Sequence, residues 1–285
     1  MIIDSHHHLW KYNASDFSWM DDSMTILKDD YFPEDLRKNL AEAGVSSTIV
    51  VQALHKTEET LWLLKLAEQY DFIKGVVGWV DLCQDITKSE TEAILNHPWL
   101  VGIRHVLQDE PDDDYMLRKE FINGIGLLKK YNLCYDILIF PRHLSRAIKL
   151  VGMFPEQKFV LDHLAKPFIK DGIIEPWREQ IFSIAKNTNL YCKISGMVTE
   201  ANWNNWKYED FLPYLETVTE AFGTERLMVG SDWPVCKLAA EYDQVMNIVK
   251  QYFSTFSTEE KNRIFYGNCE EFYGLKAYRY RLFYS

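Results

Sequence analysis

Eight short apolar runs rich in β-branched residues, separated by segments of helical periodicity, predict that this 285-residue chain is a single TIM-like (β/α)8 barrel of the α/β class. The runs show little alternation, which is typical of parallel strands buried on both faces; they cover residues 1–4, 47–52, 73–80, 100–107, 133–140, 158–163, 189–195 and 226–231. No linker, repeat or low-complexity tract divides the chain, and single barrels commonly reach about 250 residues. An open doubly wound sheet is the alternative, but no glycine-rich dinucleotide fingerprint follows the first run.

Amphipathic segments between the runs predict the helices of the barrel. Residues 57–70, 121–131 and 208–222 place apolar side chains at helical offsets, as with Phe211 and Leu215 in the last of them. Glutamates at the start of the first segment suit the positive end of a helix. The regular alternation of strand and helix therefore supports a barrel that spans residues 1–285.

Composition limits the classes of partner and of site. Thirty-one basic against 42 acidic residues give a formal charge of −11 without a basic block, which predicts no nucleic-acid partner and no anionic membrane partner. No apolar run approaches the roughly 20 residues that a membrane helix needs. The five cysteines are far apart and form no C-x-x-C pair, which argues against a disulfide framework or a thiolate zinc site. The short, acidic, histidine-rich start is not that of a signal peptide, so we expect a cytoplasmic enzyme, with a homo-oligomer left open.

Residues 12–32 fit neither a strand nor a helix, yet they contain Phe17, Trp19 and Met20 among acidic residues. That is too many large apolar side chains for a disordered tail. Because the segment follows the first strand, a barrel would place it over the catalytic mouth. It is interpreted either as simple packing over the rim or as a lid that covers the substrate.

The most informative motif is Asp4-Ser5-His6-His7-His8. Side chains alternate along a strand, so His6 and His8 should point to one face and His7 to the other. Two imidazoles on one face at the end of a strand can hold a divalent metal ion. The apolar flanks and the small number of histidines argue against a purification tag.

Asp232 lies in the sequence Gly-Ser-Asp-Trp-Pro directly after the eighth predicted strand. An acid at the carboxyl end of a barrel strand lies at the catalytic face. Closure of the barrel places strand eight beside strand one, and so Asp232 beside His6 and His8. The alternative is an aspartate that only forms a turn or caps a helix.

The sixth predicted strand ends at His163, which is interpreted as a metal ligand or a catalytic, hydrogen-bonding histidine, with a structural histidine as the alternative. Lys166, three residues later, is interpreted as a group that binds substrate charge. Arg104 and His105 are adjacent within strand four and should face opposite ways, so that one of them enters the barrel.

A basic residue inside a barrel is costly unless it is paired, which favours binding of a substrate carboxylate or oxyanion by Arg104 or His105 and, on strand seven, by Lys193. A salt bridge in the core is the alternative. Trp79, Tyr135 and Trp233 are candidates for stacking on a sugar ring, with ordinary packing as the alternative.

Together these motifs resemble the amidohydrolase superfamily, and nearly the whole chain resembles its amidohydrolase 2 branch, which includes sugar lactonases such as L-fuconolactonase and L-rhamnonolactonase. The shared motifs lie at residues 4–10, 77–82, 102–105, 161–167 and 230–234. The resemblance implies a TIM-like barrel with one divalent metal ion, zinc or manganese, held by His6, His8 and Asp232. No Lys or Glu ends strand four and no clear ligand histidine ends strand five, so two metals are not expected, and a metal-independent lactonase stays open.

The working hypothesis is therefore hydrolysis of a sugar-acid lactone, a small-molecule substrate of carbohydrate metabolism. Asp232 would take a proton from water and return it to the leaving ring oxygen, while a metal ion or a nearby basic group stabilises the oxyanion. The first alternative is a metal-dependent decarboxylase of an aromatic or unsaturated acid. The second is a barrel that binds sugar acids without turning them over.

Overall fold

The computed structural model describes residues 1–275 and contains one sheet of eight strands that follow the order of the sequence. The strands are β1 Ile3–His7, β2 Ser47–Val51, β3 Ile73–Gly78, β4 Leu100–Val106, β5 Cys134–Leu138, β6 Phe159–Leu161, β7 Leu190–Ile194 and β8 Leu227–Val229. Every successive pair is parallel, and His7 forms a parallel bridge with Trp233 just beyond β8. The predicted TIM-like (β/α)8 barrel is confirmed.

The α-helices surround this sheet. In the described part of the chain they are α1 Pro33–Ala43, α2 Thr57–Gln69, α3 Ser89–Leu95, α4 Lys119–Leu128, α5 Leu144–Met153, α6 Trp177–Ile184, α7 Met197–Glu200, α8 Tyr208–Phe222, α9 Tyr242–Tyr252, α10 Thr258–Asn262 and α11 Asn268–Phe272. The predicted segments 57–70, 121–131 and 208–222 correspond to α2, α4 and α8. None of the helices in residues 1–275 has the length and apolar character that crossing a bilayer requires.

The apolar core fills the barrel and the layer between the sheet and its helices. Helix α8 illustrates how the sequence produces this packing, because Phe211, Leu215, Val218 and Phe222 recur at helical spacing and are all buried. Strands β2 and β5 are buried along their whole length, which is why their sequences lack the alternation of a half-exposed strand.

Strand β1 differs from the prediction. It was predicted at residues 1–4 but runs from Ile3 to His7, because the polar residues of the histidine motif are themselves inside the barrel and pair with β2. The hydrophobic pattern that locates the other strands could not detect a strand made of buried polar side chains.

Residues 12–32 are anchored to the barrel by their large side chains. Phe17 and Leu27 are buried, Trp10 pairs with Tyr31 through two backbone hydrogen bonds, and Asp22–Leu27 forms a 3-10 helix. Trp19 and Ile26 are exceptions and are 44% and 42% exposed. The segment is thus an ordered part of the barrel rim.

Candidate active site and metal centre

A cavity of about 580 Å³ opens at the carboxyl ends of the strands. It receives His8 from the end of β1, Arg104 from β4, His163 and Lys166 from the turn after β6, and Asp232 from the turn after β8. Volumes of this order are typical of small-molecule sites. Residues that are far apart in the sequence therefore line one polar cavity at the face where barrel enzymes carry their catalytic groups.

The seam between β1 and β8 places Asp232 beside the two histidines. The Asp232 backbone N–H donates to the His6 carbonyl at 2.8 Å, and the His8 N–H donates to the Trp233 carbonyl at 2.6 Å. Gly230 is required at this seam, because a Cβ on it would lie 2.6 Å from the Cβ of His6. The backbone thus fixes the carboxylate relative to the imidazole pair.

The Asp4 side chain holds the same seam together below the cavity. Its carboxylate accepts hydrogen bonds from the backbone N–H of Ser231 at 2.9 Å, from the Ser231 hydroxyl at 2.6 Å and from the Tyr242 hydroxyl at 2.9 Å. Burial raises the pKa of Asp4 to about 6, against the opposing effect of these bonds. The first residue of the histidine motif therefore joins β1 to the turn that carries Asp232.

Three ligand atoms converge at the seam. His6 Nε2 and His8 Nε2 are 3.3 Å apart, and Asp232 Oδ1 lies 3.9 Å from the first and 3.4 Å from the second. His7 is directed elsewhere, since its Nε2 lies 3.0 Å from the Thr48 hydroxyl. A tetrahedral ion with bonds of about 2.0–2.1 Å separates its ligands by about 3.3–3.4 Å, so two of the three separations fit a zinc-sized ion and the separation of 3.9 Å between His6 and Asp232 is wider.

The hydrogen bond of the His8 imidazole favours the same conclusion. His8 Nδ1 lies 2.8 Å from the Val51 carbonyl, which only accepts, so this nitrogen carries the proton and Nε2 offers a lone pair. His6 Nδ1 lies 3.4 Å from an Asp162 carboxylate oxygen and 3.2 Å from the Lys193 ammonium group, so an acidic and a basic group both lie behind this imidazole. Such partners behind a metal-ligating histidine set its orientation and its tautomer.

Arg104 is the basic residue of β4 that enters the cavity. Its guanidinium donates to the side chain of Gln52 at 2.9 Å and to Asp162 at 3.2 Å, and it lies 3.2 Å from His6 Nε2. The guanidinium therefore shares the lone pair of His6 that a metal ion would use. Its side chain is 3% exposed, and these acceptors compensate its burial.

His163 and Lys166 lie on a turn of unusual backbone conformation. The four residues 163–166 have φ values between 52° and 59°, in the left-handed region that non-glycine residues seldom adopt. His163 Nδ1 lies 2.8 Å from the Ser195 hydroxyl, and its Nε2 lies 3.8 Å from Asp232 Oδ1. This turn directs the imidazole to the carboxylate and leaves Lys166 at the cavity wall.

The site combines the ionised carboxylate of Asp232 with the neutral imidazole of His163. Burial alone would raise the pKa of Asp232, but the interactions with His163, His8 and Lys166 outweigh it and hold that pKa below its usual value. Burial places the pKa of His163 well below its usual value, against the opposing effect of Asp232. At neutral pH, Asp232 is consequently able to accept a proton.

Lys193 occupies a different position from Lys166. Its ammonium group lies inside the barrel, 2.5 Å from Asp136 and 3.1 Å from Asp162, and is fully buried. It also lies 3.2 Å from His6 Nδ1. The structure thus places Lys193 beneath the cavity as a counterion of two carboxylates.

The three predicted sugar-stacking residues do not line the cavity. Tyr135 is fully buried between Phe121 and Phe159, and Trp233 packs edge-to-face on Tyr31 with 5.1 Å between ring centres. The ring of Trp79 contacts His55 instead, as described below. Each of the three rings packs against other side chains of the protein. The sequence alone does not distinguish such packing from stacking on a ligand.

His105 also lies behind the cavity wall, between His55 and Tyr115. Several residues that do face the cavity belong to no sequence motif that predicts a role for them, among them Asp16, His55, Lys56 and Glu110. Trp19 was recognised only as part of the segment 12–32. Their position in the sequence could have indicated a place at the cavity, since Glu110 closely follows β4 and His55 closely follows β2 in loops at the catalytic face.

Comparisons with known proteins agree with this architecture. The family model described as Amidohydrolase matches residues 3–275. Two proteins named L-fucono-1,5-lactonase are each 35% identical: one from Burkholderia ambifaria, covering 95% of this chain and 94% of that protein, and one from Burkholderia multivorans, covering 96% of each.

A crystal structure of an amidohydrolase from Burkholderia multivorans with bound zinc superimposes with a TM-score of 0.92 at 35% identity. The superposition covers 96% of this chain and 99% of that one. The barrel, the motifs that line its mouth and these matches over nearly the full length agree, and the chain belongs to the amidohydrolase family.

Proposed function

We propose that this protein is a lactone hydrolase that opens the ring of a sugar-acid lactone such as L-fucono-1,5-lactone or L-rhamnonolactone. The observation that carries the proposal is the ionised, buried Asp232 at 3.4 Å from His8 and 3.8 Å from His163, at the base of a polar cavity. The lactonases among the relatives support this choice of substrate class over the decarboxylase alternative.

Asp232 is the general base. Its carboxylate accepts a proton from a water molecule as that water attacks the lactone carbonyl, a step for which a depressed pKa keeps the carboxylate ionised. The proton then resides on Asp232 and is returned to the ring oxygen as the carbon–oxygen bond breaks. One carboxylate thus acts first as base and then as acid, and the product is the open hydroxy acid.

Charge develops on the lactone carbonyl oxygen during the attack. Arg104 and Lys166 are cations at the cavity wall, and neutral His163 can hydrogen-bond either the water or the carbonyl, depending on its tautomer. Ser195 contacts His163 Nδ1 through a hydroxyl that can either donate or accept, so this contact permits both roles of Nε2. His163 completes the catalytic pair with Asp232.

A single divalent ion, zinc or manganese, would be held by His6, His8 and Asp232. When bound, it would supply Lewis-acid polarisation and lower the pKa of water in the site. The Arg104 guanidinium would have to release His6 Nε2 for this ion, because both use the same lone pair.

Residues 12–32 are assigned the role of a lid on this cavity. Ser15, Asp16 and Trp19 line it, and Asp16 joins the segment to Lys56 of the β2–α2 loop through a salt bridge of 2.5 Å. Opening would have to break that pair while the buried Phe17 and Leu27 keep the rest of the segment in place. A cytoplasmic location stays a prediction of the sequence.

Proton release tests the function directly. Purified protein is mixed with L-fucono-1,5-lactone, L-rhamnonolactone and other aldonolactones in weakly buffered pH indicator, with and without added zinc or chelator. Acid production above the spontaneous rate is expected for at least one of them. Carbon dioxide release from dihydroxybenzoates without acid production from lactones would instead establish the decarboxylase.

A further inference from the structure

The His105 side chain is held from several sides behind the cavity wall. Its ring stacks between His55, with centres 4.0 Å apart, and Tyr115, at 4.9 Å, while Phe121 packs edge-on at 5.8 Å. This packing leaves the side chain 6% exposed and in one orientation. Because the ring is held in place, it affects other residues through the hydrogen bonds of its two nitrogen atoms.

The partners of those nitrogens determine the tautomer. The Trp79 indole N–H, which can only donate, points to His105 Nδ1 at 3.2 Å. Nδ1 must therefore carry a lone pair, and the proton of the neutral ring lies on Nε2. Burial lowers the pKa of His105 to about 4, so the ring is neutral at neutral pH.

Nε2 donates that proton to Glu110 Oε1 at 2.7 Å. Glu110 is half-buried and lines the same cavity as Arg104, Lys166 and Asp232. Within residues 1–275, Oε1 takes the hydrogen bond from His105 while Oε2 makes none to the protein. The carboxylate is thus oriented from behind, with its second oxygen available to a ligand.

A metal ion at this cluster is a poorer explanation. His55, His105 and Glu110 have the right atom types, but a hydrogen bond of 2.7 Å between His105 and Glu110 leaves no room for an ion between them. His55 Nε2 already accepts the backbone N–H of Val106 at 2.9 Å. The arrangement is that of an oriented hydrogen-bond acceptor.

We infer that Glu110 accepts a hydrogen bond from a hydroxyl group of the substrate and selects polyhydroxylated lactones over unsubstituted ones, with Trp79 and His105 as positioning residues. The inference rests on the proposed lactonase function and names a specificity determinant within it. It also gives Trp79 and His105 a part in substrate recognition without contact between either ring and the sugar.

The test compares the kinetics of wild-type protein, Glu110→Gln, Trp79→Phe and the double variant with L-fucono-1,5-lactone. Gln keeps the shape but turns an amide N–H₂ to the cavity when its carbonyl takes the His105 proton. Loss of a hydrogen bond to a charged group should raise KM on the order of 10- to 100-fold with kcat little changed. Binding of L-fuconate, measured by calorimetry, should weaken in parallel.

Trp79→Phe keeps the aromatic packing but removes the N–H that fixes the tautomer, so KM should rise by a smaller factor. In the Glu110→Gln background the same change should add little, because the two residues act through one contact. A merely structural role of Trp79 would instead produce independent, additive effects on both kinetic constants.

Glu120→Gln is the matched control, since it removes the same charge from an exposed position of α4. A KM for Glu110→Gln within twofold of wild type, or additive effects of the two changes, would overturn this inference alone. A wild-type protein that opens no aldonolactone would overturn the proposed function, and the calorimetry would then decide whether Glu110 binds the hydroxy acid.

Discussion

Lys193 and Lys166 belong to two regions of the same barrel that the sequence does not distinguish. Lys193 lies in the interior beneath the cavity and is paired with Asp136 and Asp162. Lys166 lies at the cavity wall, 3.7 Å from Glu200, with its side chain 18% exposed. The interior holds the imidazoles and the Asp162 carboxylate in place, whereas the wall presents charge to a ligand.

The difference shows how burial changes the consequence of one residue type. Burial lowers the pKa of Lys193, but Asp136 and Asp162 outweigh it, so the pKa is raised and the ammonium persists. Lys193 compensates both carboxylates, and its removal takes away the cationic partner of the buried Asp136. A lysine at the cavity wall remains in contact with water, so its charge does not need a buried partner.

The largest expected effect is therefore the loss of the interior lysine. Lys193→Met should lower the free energy of unfolding by about 3–5 kcal/mol, because the buried Asp136 loses its cationic partner while Arg104 still pairs with the nearby Asp162. Urea denaturation at pH 7 measures this change.

Lys166→Met is the matched variant at the wall. It should lower stability by less than Lys193→Met does, because the Lys166 and Glu200 side chains keep 18% and 21% of their surface in contact with water, and it should impair the kinetics. Equal stability losses in the two variants would remove the distinction between interior and wall.

Glu59 of α2 is a buried carboxyl group outside this cavity, and it makes stability depend on pH. Its carboxylate accepts the backbone N–H of Ala53 at 3.1 Å and of Leu54 at 2.9 Å, yet burial raises its pKa to about 7. The folded state thus binds a proton that the unfolded state releases above its usual pKa of 4.5.

Stability contributed by protonated Glu59 is consequently present at low pH and is lost as pH rises from about 4.5 to 7, by up to about 3 kcal/mol. Glu59→Gln should remove this part of the pH dependence, which denaturation curves at several pH values would detect. An unchanged slope in Glu59→Gln would show that the carboxylate is already ionised in the folded protein.

The seam should determine metal affinity. His8→Gln should weaken zinc binding by at least about 10- to 100-fold, as measured by calorimetry on metal-free protein. That factor is typical of the loss of a residue that supports a metal ligand, and His8 would itself be a ligand. His55→Gln alters an imidazole of the wall and should leave zinc affinity unchanged. The reverse result would place the ion at the cluster of His55, His105 and Glu110.

The eight-stranded barrel could be predicted because its strands and helices carry simple apolar patterns. Helix α8 lies at the predicted residues, while β1 was shifted because its buried residues are polar. The proximity of His6, His8 and Asp232 follows from barrel closure alone, and the structure brings these residues together at the seam.

The residues of the cavity wall could not be predicted from such patterns. Whether Arg104 or His105 enters the cavity depends on the exact face of β4, and the left-handed turn at residues 163–166 has no sequence pattern that local propensity would favour. Glu110 becomes recognisable only when its contact with His105 is known. Loop and side-chain geometry, rather than residue type, distinguishes these positions.

The central claim is that Asp232 transfers the proton in lactone opening, and the kcat of Asp232→Asn tests it most directly. Asn keeps the size of the side chain but cannot accept the proton of water, so kcat with L-fucono-1,5-lactone should fall about 10²- to 10⁴-fold while the cooperative unfolding transition is retained. A folded Asp232→Asn protein that turns over this lactone at the wild-type rate would contradict the account.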